Sequence, residues 1–306
     1  MKKILILATI TIIIIIAYMV NKSPHTGGEI RVVTSFYPLA EFAGQVGGAN
    51  VEVVNITPAG VEPHDFEPTP RDIARVYSAK VFLFNGGGFD PWAEKIKPDL
   101  EKKGISVVNM AEHFSMLPAE AEHGAEHGHE TEVTDPHIWL DPVLAQRQVG
   151  IIRDALQKVD PANSRVYARN AGEYLNRLSA LDRKYKDGLA ACAVRDAIAS
   201  HAAFGYLAKR YGLNVIPIVI SPEEEPSPKR IADLAVLART KNIKFIFFET
   251  LVNPKLAETI AQEIGAKTMV FNPIEGLSDE ELAAGKNYIS IMEENLNNLR
   301  IALVCK

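Results

Sequence analysis

Short apolar, β-branched runs alternate with helical patterns along this chain, and the helix starts are marked with unusual regularity. A capping residue followed by proline occurs at Thr69-Pro70, Asp90-Pro91, Asp141-Pro142, Asp160-Pro161, Ser227-Pro228 and Asn253-Pro254. The cap side chain satisfies an orphan helix amide. Proline fits the first helical position, where its missing N–H costs nothing. Around these starts lie candidate strands at 30–34, 51–56, 81–84 and 105–108, then at 197–200, 215–219, 245–249 and 268–271. Most are continuously apolar, as strands covered on both faces should be. Strand–helix alternation of this kind calls for parallel sheets with crossover helices. The predicted fold class is therefore α/β, in two halves, each with a four-stranded parallel sheet and flanking helices.

The halves are separated by two helical segments. The one after Pro142 places Ala145, Val149, Ile152, Leu156 and Val159 on one face. The one after Pro161 places Val166, Tyr174, Leu178, Leu181, Tyr185 and Leu189 at helical spacing. This second helix is predicted from about residue 163 to 189, on the order of 40 Å at 1.5 Å per residue. A helix of that length between two α/β halves reads as a stiff strut, with Gly172 and Gly188 its weak points. Two shorter helices within a single domain are the alternative.

At 306 residues, 47% hydrophobic and 23% charged, the chain is long enough for two domains of ordinary size. A net charge of −5 offers no basic stripe to replace counterions, which argues against nucleic acid as a partner. At the N-terminus, Lys2 and Lys3 precede an apolar run from Ile4 to Val20, a pattern of export signals and signal anchors. No small-x-small cleavage site follows convincingly, which favours an anchor. No cysteine lies nearby for lipid attachment. Residues 21–28 read as a tether. Export leads to an oxidising compartment, where Cys192 and Cys305, the only cysteines, are expected to pair. The alternative is two unlinked small hydrophobes. The loop they would close is worth roughly 4 to 5 kcal/mol in the chain-entropy model.

Candidate metal ligands are spread widely. His64 lies beyond the strand at 51–56. His137 follows the strand at 105–108, His201 ends the strand at 197–200, and Glu275 lies past the strand at 268–271. All four thus sit beyond carboxyl ends of predicted parallel strands, the edge where open α/β sheets place ligands. Three imidazoles and one carboxylate suit tetrahedral zinc; more carboxylates would favour manganese. Spacing alone is weak, because no H-E-x-x-H or C-x-x-C is present. Each residue also has a bland reading. His64 could cap a turn, and His137 could hydrogen-bond Asp135 or Asp141. His201 could be a core histidine, and Glu275 a solvated loop acid. Glu249, at the end of the strand at 245–249, is a rival fourth ligand or an acceptor that orients an imidazole. Glu62 is a weaker candidate, separated from His64 by Pro63.

Residues 112–132 form a low-complexity stretch holding His113, His123, His127 and His129 among glutamates, alanines and glycines. Nothing there can form a core, so a loop is expected, either a solvated linker or a low-affinity metal collector. Gly86-Gly87-Gly88 follows a strand, but no lysine–threonine pair follows it, so a phosphate loop is not expected. Glu223-Glu224-Glu225 between prolines reads as a rigid solvated loop or a transporter-facing contact.

Four motifs resemble those of the metal-binding solute-binding proteins of bacterial ABC importers, in the zinc and manganese branch. They are Pro63-His64-Asp65-Phe66-Glu67-Pro68-Thr69, Asp135-Pro136-His137-Ile138-Trp139-Leu140-Asp141-Pro142, Ser200-His201-Ala202-Ala203-Phe204-Gly205-Tyr206-Leu207 and Asn272-Pro273-Ile274-Glu275-Gly276-Leu277. The similarity continues through residues 220–228 and covers about residue 30 to the end. The resemblance implies two α/β lobes joined by one long rigid helix: 29–160, then 161–190, then 191–306, with 1–28 as signal or anchor and tether. It implies metal held in the interlobe cleft by His64, His137, His201 and Glu275, with zinc favoured over manganese. The expected protein is an extracytoplasmic, non-enzymatic monomer that passes zinc to an ABC permease and its ATPase. A zinc hydrolase is the rival from another class, but four protein ligands leave no position for water. A surface adhesin is a third reading, compatible with transport.

Overall fold

The computed structural model describes residues 29–119, 134–222 and 224–306. The first sheet is built from β1 (Ile30–Thr34), β2 (Val51–Asn55), β3 (Val81–Phe84) and β4 (Ser106–Asn109) in the order β2-β1-β3-β4. The second is built from β7 (Asp196–Ala199), β8 (Asn214–Pro217), β9 (Phe245–Phe248) and β10 (Lys267–Val270) in the order β10-β9-β7-β8. Every pairing in both sheets is parallel. Each sheet therefore starts on an inner strand, adds its second strand on one side, and places the next two on the other. The strands read from the sequence all form, with ends shifted by a residue or so. A short antiparallel pair, β5 (Leu117–Pro118) with β6 (Thr134–Asp135), was not anticipated.

Side chains alternate across each sheet, as a period of two requires. Val32, Val81 and Leu83 join the central core, while Val33, Phe82 and Phe84 face an outer cluster with Trp92 and Leu100. In the second sheet Ala197, Ala199 and Phe247 face the central core, while Ile198 and Ile246 meet Leu234 and Ile260 outside. One core is thus continuous between the two sheets, and each sheet keeps its own outer layer.

The helices begin much as the proline pairs predict. Thr69, Asp141 and Ser227 each accept hydrogen bonds from first-turn amides of α2 (Pro70–Val76), α4 (Pro142–Val159) and α7 (Pro228–Thr240). Three pairs depart from that rule: Asp160 precedes only a 3₁₀ turn without capping it, the helix after Asn253 starts at Lys255 with Pro254 at the cap position, and Asp90 makes no cap bond. Asp90 precedes α3 (Pro91–Lys102), but its carboxylate turns back to accept from the N–H groups of Asn85 and Gly86. Three glycines at 86–88 with positive φ make that turn feasible. A Cβ at Gly86 would fall 2.0 Å from Asn109 Oδ1, so the turn needs glycine there.

The long helix is unbroken. α5 (Ser164–Leu189) has 26 residues and follows a short 3₁₀ turn at Pro161–Asn163. Its buried face is Tyr167, Ala171, Tyr174, Leu178, Leu181, Tyr185 and Leu189, with Val166 half-buried beside it. Toward its start, Asn170 Nδ2 donates to Val46 C=O on α1 (Tyr37–Gly47) of the first half. Near its end, Tyr185 donates to Met292 C=O on α10 (Tyr288–Ala302) of the second half. Gly172 does not interrupt the ladder.

Cys192 and Cys305 form a disulfide across a separation of 113 residues. It fastens the chain end after α10 to the turn that leaves α5, alongside backbone bonds from Val194 to Leu303 and from Lys306 to Ala191. Among the described residues, no helix is long and apolar enough to cross a membrane. The expected signal or anchor, most of the histidine-rich stretch (120–133) and Glu223 lie outside the described residues.

Replacing both cysteines by serine is expected to lower unfolding free energy by roughly 4 to 5 kcal/mol. Urea unfolding of the oxidised chain and the variant measures this. Coincident midpoints would show that the link adds no stability.

Candidate metal centre

His64, His137, His201 and Glu275 each contribute one ligand atom to a group lying within 4.8 Å of one another. The loops that carry His64, His201 and Glu275 leave the two sheets at the carboxyl ends of β2, β7 and β10, while His137 follows β6 of the short antiparallel pair; the two halves build the cluster jointly. His64 Nε2 lies 3.3 Å from His137 Nε2, which lies 3.3 Å from His201 Nε2. Glu275 Oε1 is 3.2 Å from His64 Nε2, 3.2 Å from His137 Nε2 and 3.3 Å from His201 Nε2. Four ligands about 2.05 Å from a tetrahedral ion stand about 3.3 Å apart. Five of the six pairs match that edge length, and the sixth, His64 with His201, lies within 4.8 Å.

Each donor is aimed by its surroundings. His137 leaves Nε2 free for the cluster because Nδ1 is 2.8 Å from Asp135 Oδ1, which also accepts the His137 backbone N–H. Asn85 holds the same turn by donating to Pro136 C=O. His201 repeats the device: Glu249 Oε1 is 2.7 Å from Nδ1 and accepts the His201 backbone N–H. Such outer carboxylates fix the tautomer and raise imidazole basicity. Glu249 therefore stands behind His201 and outside the four-atom group. His64 follows a turn in which its N–H donates to Glu62 Oε1, and its ring meets Phe89 edge-on at 4.6 Å between centroids. With 17% of its side chain exposed, His64 is the only member of the four open to solvent.

The charge balance favours a cation. Burial pushes the Glu275 carboxyl up, but the imidazoles of His201 and His64 and hydrogen bonds from His137 and His201 outweigh it. The result lies well below the usual carboxylate range. Burial lowers both His137 and His201, yet Asp135 and Glu275 raise the first overall, and Glu249 and Glu275 raise the second well above its ordinary value. Glu62 is pushed up to about 9, by burial first and then by Glu275. Oε2 of Glu62, of Glu249 and of Glu275 are buried without a hydrogen-bond partner among the described residues. Buried carboxylate oxygens left in that state are costly. The donor set, three imidazoles and a carboxylate in mutual contact, suits a small divalent cation.

Sequence reasoning missed the residues that aim Glu275. Trp139 Nε1 donates to Pro273 C=O, and Asn272 and Asn295 bond each other around the same turn. The Trp139 and Asn272 positions fell inside recognised motifs; Asn295 carried no signal of its own.

The chain belongs to the family of ZnuA, the periplasmic component A of the zinc-uptake complex, which it matches over residues 32–302. That family is one of transport components and not of enzymes. The high-affinity zinc uptake system protein ZnuA of Bacillus subtilis is 40% identical over 290 residues, 92% of this chain and 89% of the relative. The zinc-binding lipoprotein AdcA of Streptococcus pneumoniae is 37% identical over 306 residues, 98% of this chain but 61% of the relative. The chain thus spans about three fifths of the AdcA length. The crystal structure of the Zn(II)-bound ZnuA-like domain of AdcA superposes with a TM-score of 0.79 at 36% identity, covering 90% of this chain and 99% of that domain.

The shifts fix how the metal-free protein responds to pH. His137 and His201 have raised values, so their contribution is complete below the unfolded imidazole value and lost as pH rises through the folded ones. Glu62, raised too, loses stability in the same direction. Glu275, lowered, holds its contribution at neutral pH and loses it only in strong acid. The chelator-treated chain is therefore expected to melt at a lower temperature near pH 8.5 than near pH 6, with a shallower slope in His201→Gln. A melting temperature that climbs over this range would contradict the pairing.

Proposed function

We propose that this chain captures zinc ion outside the cytoplasm, with His64, His137, His201 and Glu275 as its ligands, and delivers it to an ABC permease. The observation that carries the proposal is the convergence of three imidazole nitrogens and a carboxylate oxygen, with five of their six spacings at the edge length of a tetrahedral zinc site. Three neutral imidazoles favour zinc over manganese, which takes more oxygen ligands. Four protein ligands also fill the tetrahedron, leaving no place for the water that zinc hydrolysis needs. Family membership and the zinc proteins among its relatives support the same cargo.

On this reading residues 29–160 and 191–306 are two lobes, 161–190 is the helix joining them, and zinc enters the cleft at His64. The lobes are held together by more than α5. Gly60 N–H donates to Leu277 C=O, and Arg210 pairs with Asp141 at 2.7 Å. Capture therefore needs little closure, and the N-terminal apolar run serves export or anchoring. The working unit is a monomer that docks on the permease.

Competitive titration of the full chain with zinc and manganese tests the proposal. One tight zinc site per chain is expected. Glu249→Ala, which frees the His201 ring, should weaken zinc roughly 10- to 100-fold. His201→Asp should weaken zinc further and narrow its advantage over manganese. Unchanged zinc binding in His201→Asp would remove His201 from the ligand set.

A further inference from the structure

Glu275 sits immediately after a residue in an unfavourable backbone conformation. Ile274 has a φ of +58° and is fully buried. A β-branched side chain in the left-handed region is a genuine outlier, costing of order 1–3 kcal/mol unless its surroundings impose it. Those surroundings are explicit. Asn295, on α10, accepts the Asn272 N–H at Oδ1 (2.9 Å) and donates from Nδ2 to the Asn272 C=O (2.7 Å). Asn272 in turn accepts the Ile274 N–H at its own Oδ1 (2.7 Å). Its Nδ2 donates to Thr250 Oγ1 and to Glu281 Oε1. The Pro273 C=O accepts from Trp139. Every polar backbone group from Asn272 to the Ile274 N–H is thereby held.

A cavity of about 400 Å³ lies against the turn, lined by Thr250, Asn272, Glu281, Lys286, Glu294 and Asn295 among others. Ile274 is packed in the central core, and on the side of the cavity hydrogen bonds hold the polar groups of Asn272 and Asn295. We infer that the paired amides of Asn272 and Asn295 are a positioning device that forces Ile274 into the left-handed region and so aims Glu275 Oε1 at the three imidazoles. The inference rests on Glu275 being a zinc ligand. Asn295 touches no metal; it sets the rate at which the carboxylate can swing away and the ion leave.

Asn298 supplies the control. It lies on the same helix and donates to Val270 C=O at 2.8 Å, upstream of the turn. In the full chain, loaded with zinc and chased with a chelator, Asn295→Leu is expected to speed zinc release by roughly tenfold or more. Asn295→Asp keeps the acceptor for the Asn272 N–H, loses the donor, and should fall between. Asn298→Ala should lower the melting temperature yet release zinc at the wild-type rate. Loaded with Co(II), Asn295→Leu and Asn295→Asp should show altered visible bands, as the carboxylate leaves its fixed single-oxygen position, and Asn298→Ala should not. Wild-type release and spectra in both Asn295 variants, or equal acceleration in Asn298→Ala, would overturn the inference while leaving the ligand set intact. Glu275→Gln separates the two claims: if it holds zinc as the unmodified chain does, Glu275 is no ligand and the positioning role falls with it.

Discussion

The constraint on which the molecule depends is the mutual contact of four polar donors in a buried place. Three imidazole nitrogens and a carboxylate oxygen lie within 4.8 Å of one another, most pairs at 3.2–3.3 Å, nearly all sealed from water. Left to themselves such groups would separate and hydrate, since desolvating them is costly without full pairing. They stay together because three of the four are fastened from behind. Asp135 fixes His137, Glu249 fixes His201, and the Asn272 turn fixes Glu275. The frame supplies the energy that the donors, without an ion, do not.

The same need explains how thoroughly the two sheets are tied. The donors come from both, so a shift between the halves would open the cluster. α5 is bonded to the first half near its start and to the second near its end. The helix α6 (Gly205–Tyr211), which follows His201, lies on the His137 motif. Tyr206 donates to Asp135 C=O, and Arg210 meets Asp141 while Asp141 caps α4. At Gly205 a Cβ would stand 2.5 Å from Asp135 Oδ2, so glycine is what lets that helix approach. Trp139 reaches across to Pro273, and Tyr288 donates to Trp139 C=O. The residues that bind the halves are neighbours of the residues that form the cluster, so docking and donor placement are one arrangement.

The sequence made the elements legible because their signals are local. Continuous apolar runs, cap–proline pairs and a 3.6-residue stripe each depend on a few neighbours. The donors were legible for a different reason. His64, His201 and Glu275 follow ends of predicted strands, and His137 and His201 stand in distinctive motifs. What stayed hidden are contacts made by residues of ordinary appearance across long separations. Asn295 meets Asn272 across 23 residues and Trp139 meets Pro273 across 134. Asp90 looked like a cap, yet glycines at 86–88 let the chain fold back and claim its carboxylate. Glu249 was readable as either ligand or support, and only three-dimensional placement shows it bonded to the far side of the His201 ring.

On the proposed reading, selectivity follows from how little this site can adjust. A small ion with four ligands finds most of its edges near the right length. A larger ion that prefers six or more oxygens would have to draw in further carboxylates. Glu62 and Glu249 stand close enough to influence the cluster electrostatically, but one is held by the His64 N–H and the other by the His201 ring. Recruiting either would break the bond that aims a histidine. Protons are then the remaining competitors, because the carboxylates that steer His137 and His201 also make them better bases. On the proposed reading the site exchanges some affinity in acid for fixed geometry, and that geometry disfavours the larger ion.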